Sequence, residues 1–464
     1  MDISESYHNV DENLADNILK TRYESFHDDI LENAKDRIID TIGCLIGGAD
    51  APGNQELIDL VKYWGGREES SILIHGGRVP AQNAAMVNCI MARSLDSEPI
   101  TAVVDGILIP THISGTTIMT AITAGEMRGA SGREIITAML VGEDLASRLM
   151  AAASSRKRVD SIGTVNVFGA AAIAGKLLGL DRFQMRNALG ICLDNLAGSY
   201  QNVYEGTTSF KLSQGLSARN GIFSAQLAQK GWTAAKDPFL GKFAYFYLYC
   251  DDLSNLDILT KDLGKKYYTE AHFKPYPSCR YNHGSIQCIL SLEEKYGLKV
   301  DEIKDVTVNV SRRSLDAAVG KPFRPGDFPC ADALFSYQYA VANVLLRKRV
   351  IPQHFSEEFI LDPEIQSLVK KIRLKELPEA ELLETRVDIV LKDGRKLSES
   401  VKSPKGDQEK DPISRDDVKT KFMSNAENSP ARMGNNAGKL LKMLDDFEDL
   451  ENVDEMISLM LTKD

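Results

Sequence analysis

The hydrophobic positions of the chain follow a helical period from residue 26 to about residue 249. Apolar residues at three- and four-residue spacing are typical of an amphipathic helix with one buried face. One such stripe ends at Gly47 and Gly48, and its members are Ile30, Leu31, Ala34, Ile38, Ile39, Ile42, Leu45 and Ile46. The pattern predicts that this part of the chain is built from helices around a common core.

Two further features locate helices within this part. Residues 131–134 (Ser-Gly-Arg-Glu) and 181–184 (Asp-Arg-Phe-Gln) have the capping-box pattern, in which the first and fourth side chains satisfy free amides at a helix start. Residues 168–178 are mostly Gly and Ala. Small side chains let neighbouring helices approach closely, so we predict that this segment is a central helix of a bundle.

The pattern changes near residue 270. Lys274-Pro275-Tyr276-Pro277 disfavours a continuing helix. Strand-like alternation follows at residues 306–310 and 387–391, and Asp393-Gly394 joins the second of these to residues 396–401. Asp-Gly between two such runs is a strong hairpin signal. We therefore predict that helices and strands mix here.

The polar segment 403–415 is predicted to be a linker, after which residues 437–460 return to a helical period. The predicted fold class is mainly α, with a large all-helical domain and a smaller α+β lid domain. Residues 1–269 plus 406–464 would form the helical domain, and residues 270–405 the lid. The last helices are expected to pack on the first domain.

Composition and charge exclude several classes of protein. The chain has 464 residues, 43% of them hydrophobic, which is ordinary globular composition. It carries 55 basic and 66 acidic residues, a net charge of −11, so neither nucleic acid nor membrane is expected as a partner. The first residues lack the basic and apolar regions of a signal peptide. We expect a cytoplasmic protein that binds any anion through a local basic site.

Cofactor motifs are also missing from the sequence. The seven cysteines are scattered without a CxxC pair, and the seven histidines form no HxxxH pair, so we predict no metal and no iron-sulfur cluster. Residues 169–176 imitate a phosphate-binding loop, but five residues separate the glycines and Leu177 replaces the required Ser or Thr. The predicted cofactor content is none.

A set of charged and polar residues in apolar or loop-like surroundings could do chemistry. Taken singly, each is more often structural or solvated. Together they offer cations for carboxylates, and an acid and a base of different pKa, as proton transfer on a polycarboxylate requires. They are Asp96, His112, Lys211, Lys274, Arg280, His283 and Tyr339.

Short motifs along essentially the whole chain resemble the family of 2-methylcitrate dehydratase, cis-aconitate decarboxylase and iminodisuccinate epimerase, called the MmgE/PrpD family. The resemblance rests on the order and spacing of these motifs rather than on any one of them. They are Ile39-Asp40-Thr41-Ile42-Gly43, Gly47-Gly48, Ala84-Ala85-Met86-Val87-Asn88, Leu95-Asp96, His112-Ile113-Ser114, Phe168-Gly169-Ala170-Ala171-Ala172, Leu177-Leu178-Gly179-Leu180-Asp181, Lys211 with Gly215, Ala218 and Gly221, Lys274-Pro275-Tyr276-Pro277 with His283, and Phe335-Ser336-Tyr337-Gln338-Tyr339.

The resemblance implies a two-domain homodimer that needs no metal or organic cofactor and has its site between the domains. It implies that five positions line this site as catalytic residues, namely Asp96, His112, Lys211, Lys274 and Tyr339. Arg280, His283 and Asp160 are assigned to substrate binding. Asp160 stands where a histidine is common in the family, and Ser97-Glu98-Pro99 replaces an aromatic residue after Leu-Asp.

The resulting functional hypothesis is a cofactor-independent hydro-lyase that acts on a small di- or tricarboxylic acid of the 2-methylcitrate type. Three alternatives stay open: a cis-aconitate-type decarboxylase, an iminodisuccinate-type epimerase, and an inactive homologue that only binds carboxylates. Because developing negative charge is stabilised best by preorganised cations, Lys211 and Lys274 are expected to face one cavity from different domains. A solvated Lys274 beside a structural Pro-Tyr-Pro turn is the alternative.

Overall fold

A computed structural model describes residues 9–101, 103–105, 107–109, 111–155, 157, 159–427 and 433–461 of the chain. Helices dominate, and the longer strands lie in a single stretch of the second half. The predicted fold class, mainly α with a smaller α+β region, is confirmed.

The first half is a bundle of helices with a few two-residue strands. The helices are α1 Val10–Lys20, α2 Asp28–Gly48, α3 Asn54–Trp64, α4 Ala81–Arg93, α5 Ser114–Glu126, α6 Gly132–Ala151, α7 Ile162–Leu177, α8 Arg182–Cys192, α9 Gln201–Glu205, α10 Leu212–Gln229 and α11 Tyr245–Tyr249. The strands are β1 Ser70–Ser71, β2 Arg78–Val79, β3 Ile100–Thr101, β4 Val103–Val104, β5 Ile107–Leu108 and β6 Ala271–His272. The predicted amphipathic stripe is α2, and both predicted capping boxes are confirmed at the starts of α6 and α8.

Helix α7 lies at the centre of this bundle, packed between α6 and α10, and nearly all of it is buried. Its small residues permit very close contacts. A Cβ added at Gly169 would lie 2.8 Å from the carbonyl oxygen of Gly142 on α6, and one added at Gly221 on α10 would lie 2.4 Å from the Cβ of Ala170. The prediction of a central helix with small packing residues is confirmed.

The α+β region contains a four-stranded sheet covered by helices. Its helices are α12 His283–Tyr296, α13 Arg312–Asp316, α14 Pro329–Leu334, α15 Tyr337–Arg347, α16 Glu357–Ile360 and α17 Pro363–Val369, and its strands are β7 Ile303–Val310, β8 Ile372–Glu376, β9 Thr385–Leu391 and β10 Lys396–Val401. The strand order is β10-β9-β7-β8, with only the β7–β8 pair parallel. The predicted β9–β10 hairpin is confirmed, and Gly394 supplies its positive φ of 92°.

The tail returns to the helical bundle as α18 Arg415–Glu427, α19 Asn436–Asp445 and α20 Asp454–Met460. Helix α18 lies along α2, where the glycines of α2 make room for it. A Cβ added at Gly43 would lie 3.1 Å from the Cα of Phe422, and Gly47 faces Asn425 in the same way. The tail is thus part of the bundle core, as Val418 and Phe422 are buried in it.

Two apolar clusters divide the described residues. The larger contains the bundle and the tail, and the smaller contains the α+β region together with Leu95, Val203 and Phe210. Near the predicted boundary at residue 270, Phe273 belongs to the larger cluster and Tyr276 packs against the smaller one. The exact domain bounds stay a prediction.

Crossing a bilayer takes a helix of roughly 20 mostly apolar residues. None of the helices in the described ranges combines that length with that apolarity. The cytoplasmic location expected from the sequence stays a prediction.

A buried ion pair attaches the tail to the bundle. The ammonium of Lys421 lies 2.8 Å from Oδ1 of Asp40 on α2 and donates to the carbonyl of Ser97 at 2.7 Å. Burial raises the pKa of Asp40, and Lys421 opposes that rise. Removal of one partner from such a pair leaves an uncompensated charge in the interior, which is expensive.

We predict that Lys421→Met lowers the free energy of unfolding by about 3–5 kcal/mol, the range for a broken buried pair. The matched control is Lys419→Met on the same helix, because Lys419 pairs with Asp445 at a partly exposed site and such pairs contribute about 0–1 kcal/mol. Urea denaturation of both variants measures the difference. The double variant Asp40→Asn/Lys421→Met should recover part of the loss, and equal stability of the two single variants would contradict the assignment.

Candidate active site

A short antiparallel pairing brings two distant segments of the chain together. Strand β3 follows the loop after α4, and it pairs with β6, with Ile100 opposite His272 and Thr101 opposite Ala271. The residues just before β3 therefore lie beside those just after β6. This register places the loop of Asp96 next to Lys274.

Asp96 is the centre of a buried ionic cluster. It adopts a left-handed backbone conformation with φ of 49°, just after the end of α4. Arg93, three residues earlier, donates to Oδ1 of Asp96, and Lys274 donates to both Oδ1 and the carbonyl of Asp96 at 2.7 Å. Lys274 is fully buried, so the alternative of a solvated lysine is excluded.

His112 and Glu98 complete the cluster. Nδ1 of His112 lies 2.9 Å from Oε1 of Glu98, and Nη1 of Arg93 lies 3.3 Å from the same oxygen. Nε2 of His112 lies 3.8 Å from Oδ1 of Asp96. The backbone of His112 is held by Asn166 on α7, whose Nδ2 donates to its carbonyl at 2.7 Å. The imidazole is 21% exposed, whereas Asp96 and Glu98 are buried, so it is the open side of the cluster.

The charges of the cluster set its protonation. Burial alone raises the pKa of Asp96, but the Arg93 and Lys274 cations outweigh it and hold that pKa well below its usual value. Burial likewise opposes the ionisation of Glu98, and Arg93 and His112 lower its pKa below the usual value. For His112, burial and then the two cations lower the pKa, while Glu98 raises it in part. The imidazole is therefore neutral at neutral pH, with Nδ1–H donated to Glu98 and Nε2 available.

Asp96, Glu98 and His112 could also hold a metal ion, since one ligand atom from each lies within 4.8 Å of the others. The histidine and cysteine spacings did not predict this grouping. However, Arg93 and Lys274 already balance the two carboxylates, so a divalent cation would add two uncompensated positive charges to a buried site. The charge balance of the site therefore disfavours a bound metal ion. Oδ2 of Asp96 and Oε2 of Glu98 are buried acceptors with no hydrogen-bond partner among the described residues.

Lys211 is held at a neighbouring position by other partners. Its ammonium donates to the carbonyl of Pro52 at 2.8 Å, to Oδ1 of Asn54 at 2.7 Å and to Oγ of Ser94 at 3.3 Å. Burial lowers its pKa to about 8. Within the described ranges no hydrogen bond or ion pair joins it to Asp96, so the cavity shared with Lys274 stays a prediction.

Tyr339 lies in the core of the α+β region rather than in the ionic cluster. Its ring packs against Phe323 and Phe355, and its hydroxyl donates to the carbonyl of His354. Burial raises its pKa above the usual value. The structure gives Tyr339 a packing environment because it lies on the buried face of α15, which the aromatic run of the sequence did not reveal.

Arg280 and His283, assigned to substrate binding from the sequence, have mainly internal partners. Arg280 donates to the carbonyls of Phe273, Lys405 and Pro404. It therefore links the segment that leads into the α+β region to the segment that leaves it. His283 is fully buried at the start of α12, with Nε2 3.4 Å from the carbonyl of Ser278. Burial, Arg280 and Lys274 hold its pKa well below the usual value.

Asp160, the third residue assigned to substrate binding, is buried at the start of α7. Its Oδ1 accepts from the amide of Ile162 at 2.9 Å, and its own amide donates to the carbonyl of Gly198. It lies close enough to Arg93 to raise the pKa of that guanidinium, after Asp96 and Glu98. Asp160 thus lies near the cluster and accepts a backbone hydrogen bond at the start of α7.

Arg93 and Glu98 are the members of the cluster that the sequence did not assign. The signal for Arg93 is a charge at the end of an otherwise apolar helix, three residues before Asp96, and for Glu98 it is an acid two residues after it. The guanidinium of Arg93 also stacks 5.4 Å from the ring centre of Phe210, which packs edge-on against Phe335. Because Leu95 and Phe210 belong to the smaller apolar cluster, the site lies where the two cores meet.

Most of the chain matches one known protein family. Residues 12–255 match the MmgE/PrpD N-terminal domain, and residues 276–442 match the MmgE/PrpD C-terminal domain. The chain is similar to cis-aconitate decarboxylase from Mus musculus, at 25% identity over 97% of this chain and 93% of the relative. It is 26% identical to the enzyme of that name from Homo sapiens, over 93% and 90%, and 26% identical to the one from Aspergillus terreus, over 83% of each. The resemblance found in the sequence is thereby confirmed, and the chain belongs to the MmgE/PrpD family.

Proposed function

We propose that this protein is a lyase that decarboxylates a small unsaturated tricarboxylic acid of the cis-aconitate type. The observation that carries the proposal is the buried, charge-balanced cluster of Arg93, Lys274, Asp96, Glu98 and His112. The similarity to cis-aconitate decarboxylases over most of both chains supports it. The proposal keeps the lyase class expected from the sequence and replaces dehydration with decarboxylation as the first candidate.

The reaction requires the protein to stabilise a developing negative charge and to supply a proton. As the carbon–carbon bond to the departing carboxyl group breaks, its electron pair forms a new double bond. The pair of the old double bond moves to the carbon beside another carboxylate, and that carbon takes a proton. Arg93 and Lys274 would stabilise the negative charge that develops on this carboxylate, because preorganised cations act strongly where water is excluded. His112 would deliver the proton.

The negative charge of the substrate would raise the pKa of His112 and so favour its role as proton donor. In the free site burial lowers the pKa of His112 most, and Arg93 and Lys274 lower it further, so few imidazoles are protonated at neutral pH. A bound polycarboxylate offsets those cations and therefore raises the pKa of His112. Glu98, a positioning residue, holds Nδ1–H and so leaves Nε2, which lies 3.8 Å from Oδ1 of Asp96, as the nitrogen that carries the transferred proton. Substrate binding therefore favours the protonated form of His112.

The hydro-lyase of the 2-methylcitrate type is the second candidate. It is favoured by the unpartnered oxygens Oδ2 of Asp96 and Oε2 of Glu98, which are buried acceptors suited to a substrate hydroxyl. In such a reaction a base removes a proton beside a carboxylate and a hydroxyl leaves with a proton from an acid. The homodimer, the cytoplasmic location and cofactor independence stay predictions under either candidate.

Product analysis tests the proposal. We expect the purified full-length chain, in EDTA-containing deuterated buffer, to convert cis-aconitate to carbon dioxide and a dicarboxylic acid with one deuterium on carbon, as followed by NMR. Water loss from 2-methylcitrate without carbon dioxide would favour the hydro-lyase. Exchange at carbon without net conversion would indicate an epimerase, and saturable binding without turnover an inactive homologue; each of these results contradicts decarboxylation. Heat-denatured protein is the blank.

Lys274→Met tests the electrostatic role. We expect kcat to fall by roughly 10²-fold or more, the usual cost of one preorganised donor. Because Lys274 is buried against Asp96, the variant should also lose stability, so kcat is measured below its melting temperature as determined by circular dichroism. The matched control is Lys410→Met, which removes an exposed lysine paired with Glu381. Unchanged turnover in a folded Lys274→Met protein would contradict the site.

The pH dependence tests His112 as proton donor. The value of kcat/KM reports the free enzyme, and there the pKa of His112 lies below its usual 6.5. The protonated fraction falls as pH rises through that pKa, so kcat/KM should decline toward alkaline pH. Glu98 raises this pKa, so Glu98→Gln should move the decline to lower pH, while the exposed control Glu381→Gln leaves it in place. A kcat/KM that rises with pH would make His112 a base instead.

A further inference from the structure

A second charged cavity lies in the helical bundle, away from the cluster around Asp96. It has a volume of about 560 Å³ and is bounded by the segment after α1, the start of α6 and the end of α7. Four cationic side chains line it, namely Arg22, Arg128, Arg133 and Lys176. None of its lining residues belongs to the candidate active site.

Lys176 is the least exposed of the four cations. Its ammonium donates to the carbonyls of Ile18 and Thr21 at 2.7 and 2.8 Å, at the C-terminal end of α1. No carboxylate of the described residues forms an ion pair with it. Burial and the neighbouring Arg22 lower its pKa to about 8, so its surroundings are positive as well as partly dry.

The three arginines are also without carboxylate partners in the described part of the chain. Nη1 of Arg128 donates to the carbonyl of Leu177 at 2.6 Å, and Nη1 of Arg22 donates to that of Leu19 at 2.7 Å. The guanidinium of Arg133 stacks 5.0 Å from the ring centre of Tyr23. Arg22 and Arg128 each use only Nη1 in these contacts, so each retains further N–H donors.

Two acids, Glu24 and Glu134, also line the cavity, and neither forms an ion pair with its four cations in the described part of the chain. The carboxylate of Glu134 accepts from the amide and hydroxyl of Ser131 in the capping box of α6. By contrast, Arg182 at the start of α8 pairs with both Glu12 and Asp16. In a chain of net charge −11, where acids outnumber bases, four adjacent unpaired cations are not expected from composition.

We propose that this cavity binds the phosphate groups of a di- or triphosphate ligand. The planar forks of Arg22 and Arg128 can each bind a phosphate through two N–H groups, and Lys176 supplies a point charge beside them. The carbonyl contacts account for one nitrogen of Arg22 and one of Arg128 and leave their other N–H donors for the ligand, whereas the single nitrogen of Lys176 already donates to the carbonyls at the end of α1. The proposal is independent of the proposed lyase activity, since the two sites share no residue.

Titration calorimetry of the full-length chain with inorganic pyrophosphate tests this inference. We expect saturable binding of one ligand per chain, at least tenfold weaker in Arg22→Gln/Arg128→Gln. The matched control, Arg395→Gln, removes an exposed arginine paired with Asp393 and should bind like the wild type. Lys176 is left intact because it caps α1. Should the double variant misfold by circular dichroism, Arg133→Gln replaces it, with weaker binding again expected.

Titrations with ATP and with citrate identify the class of ligand that the cavity binds. ATP binding more tightly than pyrophosphate would support the site and assign it to a nucleotide, and equal affinities would support it and assign it to free polyphosphate. Absence of saturable pyrophosphate binding would overturn the proposal, as would equal weakening in Arg395→Gln. Citrate that binds this cavity while pyrophosphate does not would also overturn it, because the site would then recognise carboxylates.

Discussion

The mutual neutralisation of two cations and two carboxylates, buried where the two apolar cores meet, is the interaction on which the site depends. Arg93 comes from α4 and Lys274 from the segment after β6, and both charges converge on Asp96. A buried charge is tolerated only when it is paired and hydrogen-bonded. The cluster therefore fixes the relation between the helical bundle and the entry to the α+β region, while the pairing of β3 with β6 sets the register.

The same balance explains how an acidic protein would accommodate the proposed anionic substrate. The net charge of −11 disfavours anions over the surface as a whole. Inside the cluster, however, each carboxylate is held by a cation, and the one neutral member is the partly exposed imidazole of His112. An incoming carboxylate would meet a site whose own negative charge is already compensated, and its charge would favour protonation of His112.

Local secondary structure could be predicted from the sequence, whereas the residues that form the candidate site could be predicted only in part. The α2 stripe, the capping boxes of α6 and α8 and the β9–β10 hairpin depend on neighbouring residues, so the chain predicts them. Strand β8 was not predicted, because its residues are mostly polar. Asp96, His112 and Lys274 converge as predicted. Tyr339 instead lies in the core of the α+β region, and Arg280 donates to backbone carbonyls. These contacts join different segments of the chain, and the spacing of residues in the sequence does not encode them.

The return of the tail to the bundle has a consequence for the order of synthesis. A ribosome completes the α+β region before it makes α18, so the larger core cannot close until the tail has been synthesised. Through that interval the groove of α2 beside Gly43 lacks Phe422, and Asp40 lacks the ammonium of Lys421. The nascent bundle therefore exposes apolar surface for longer than an uninterrupted domain of its size.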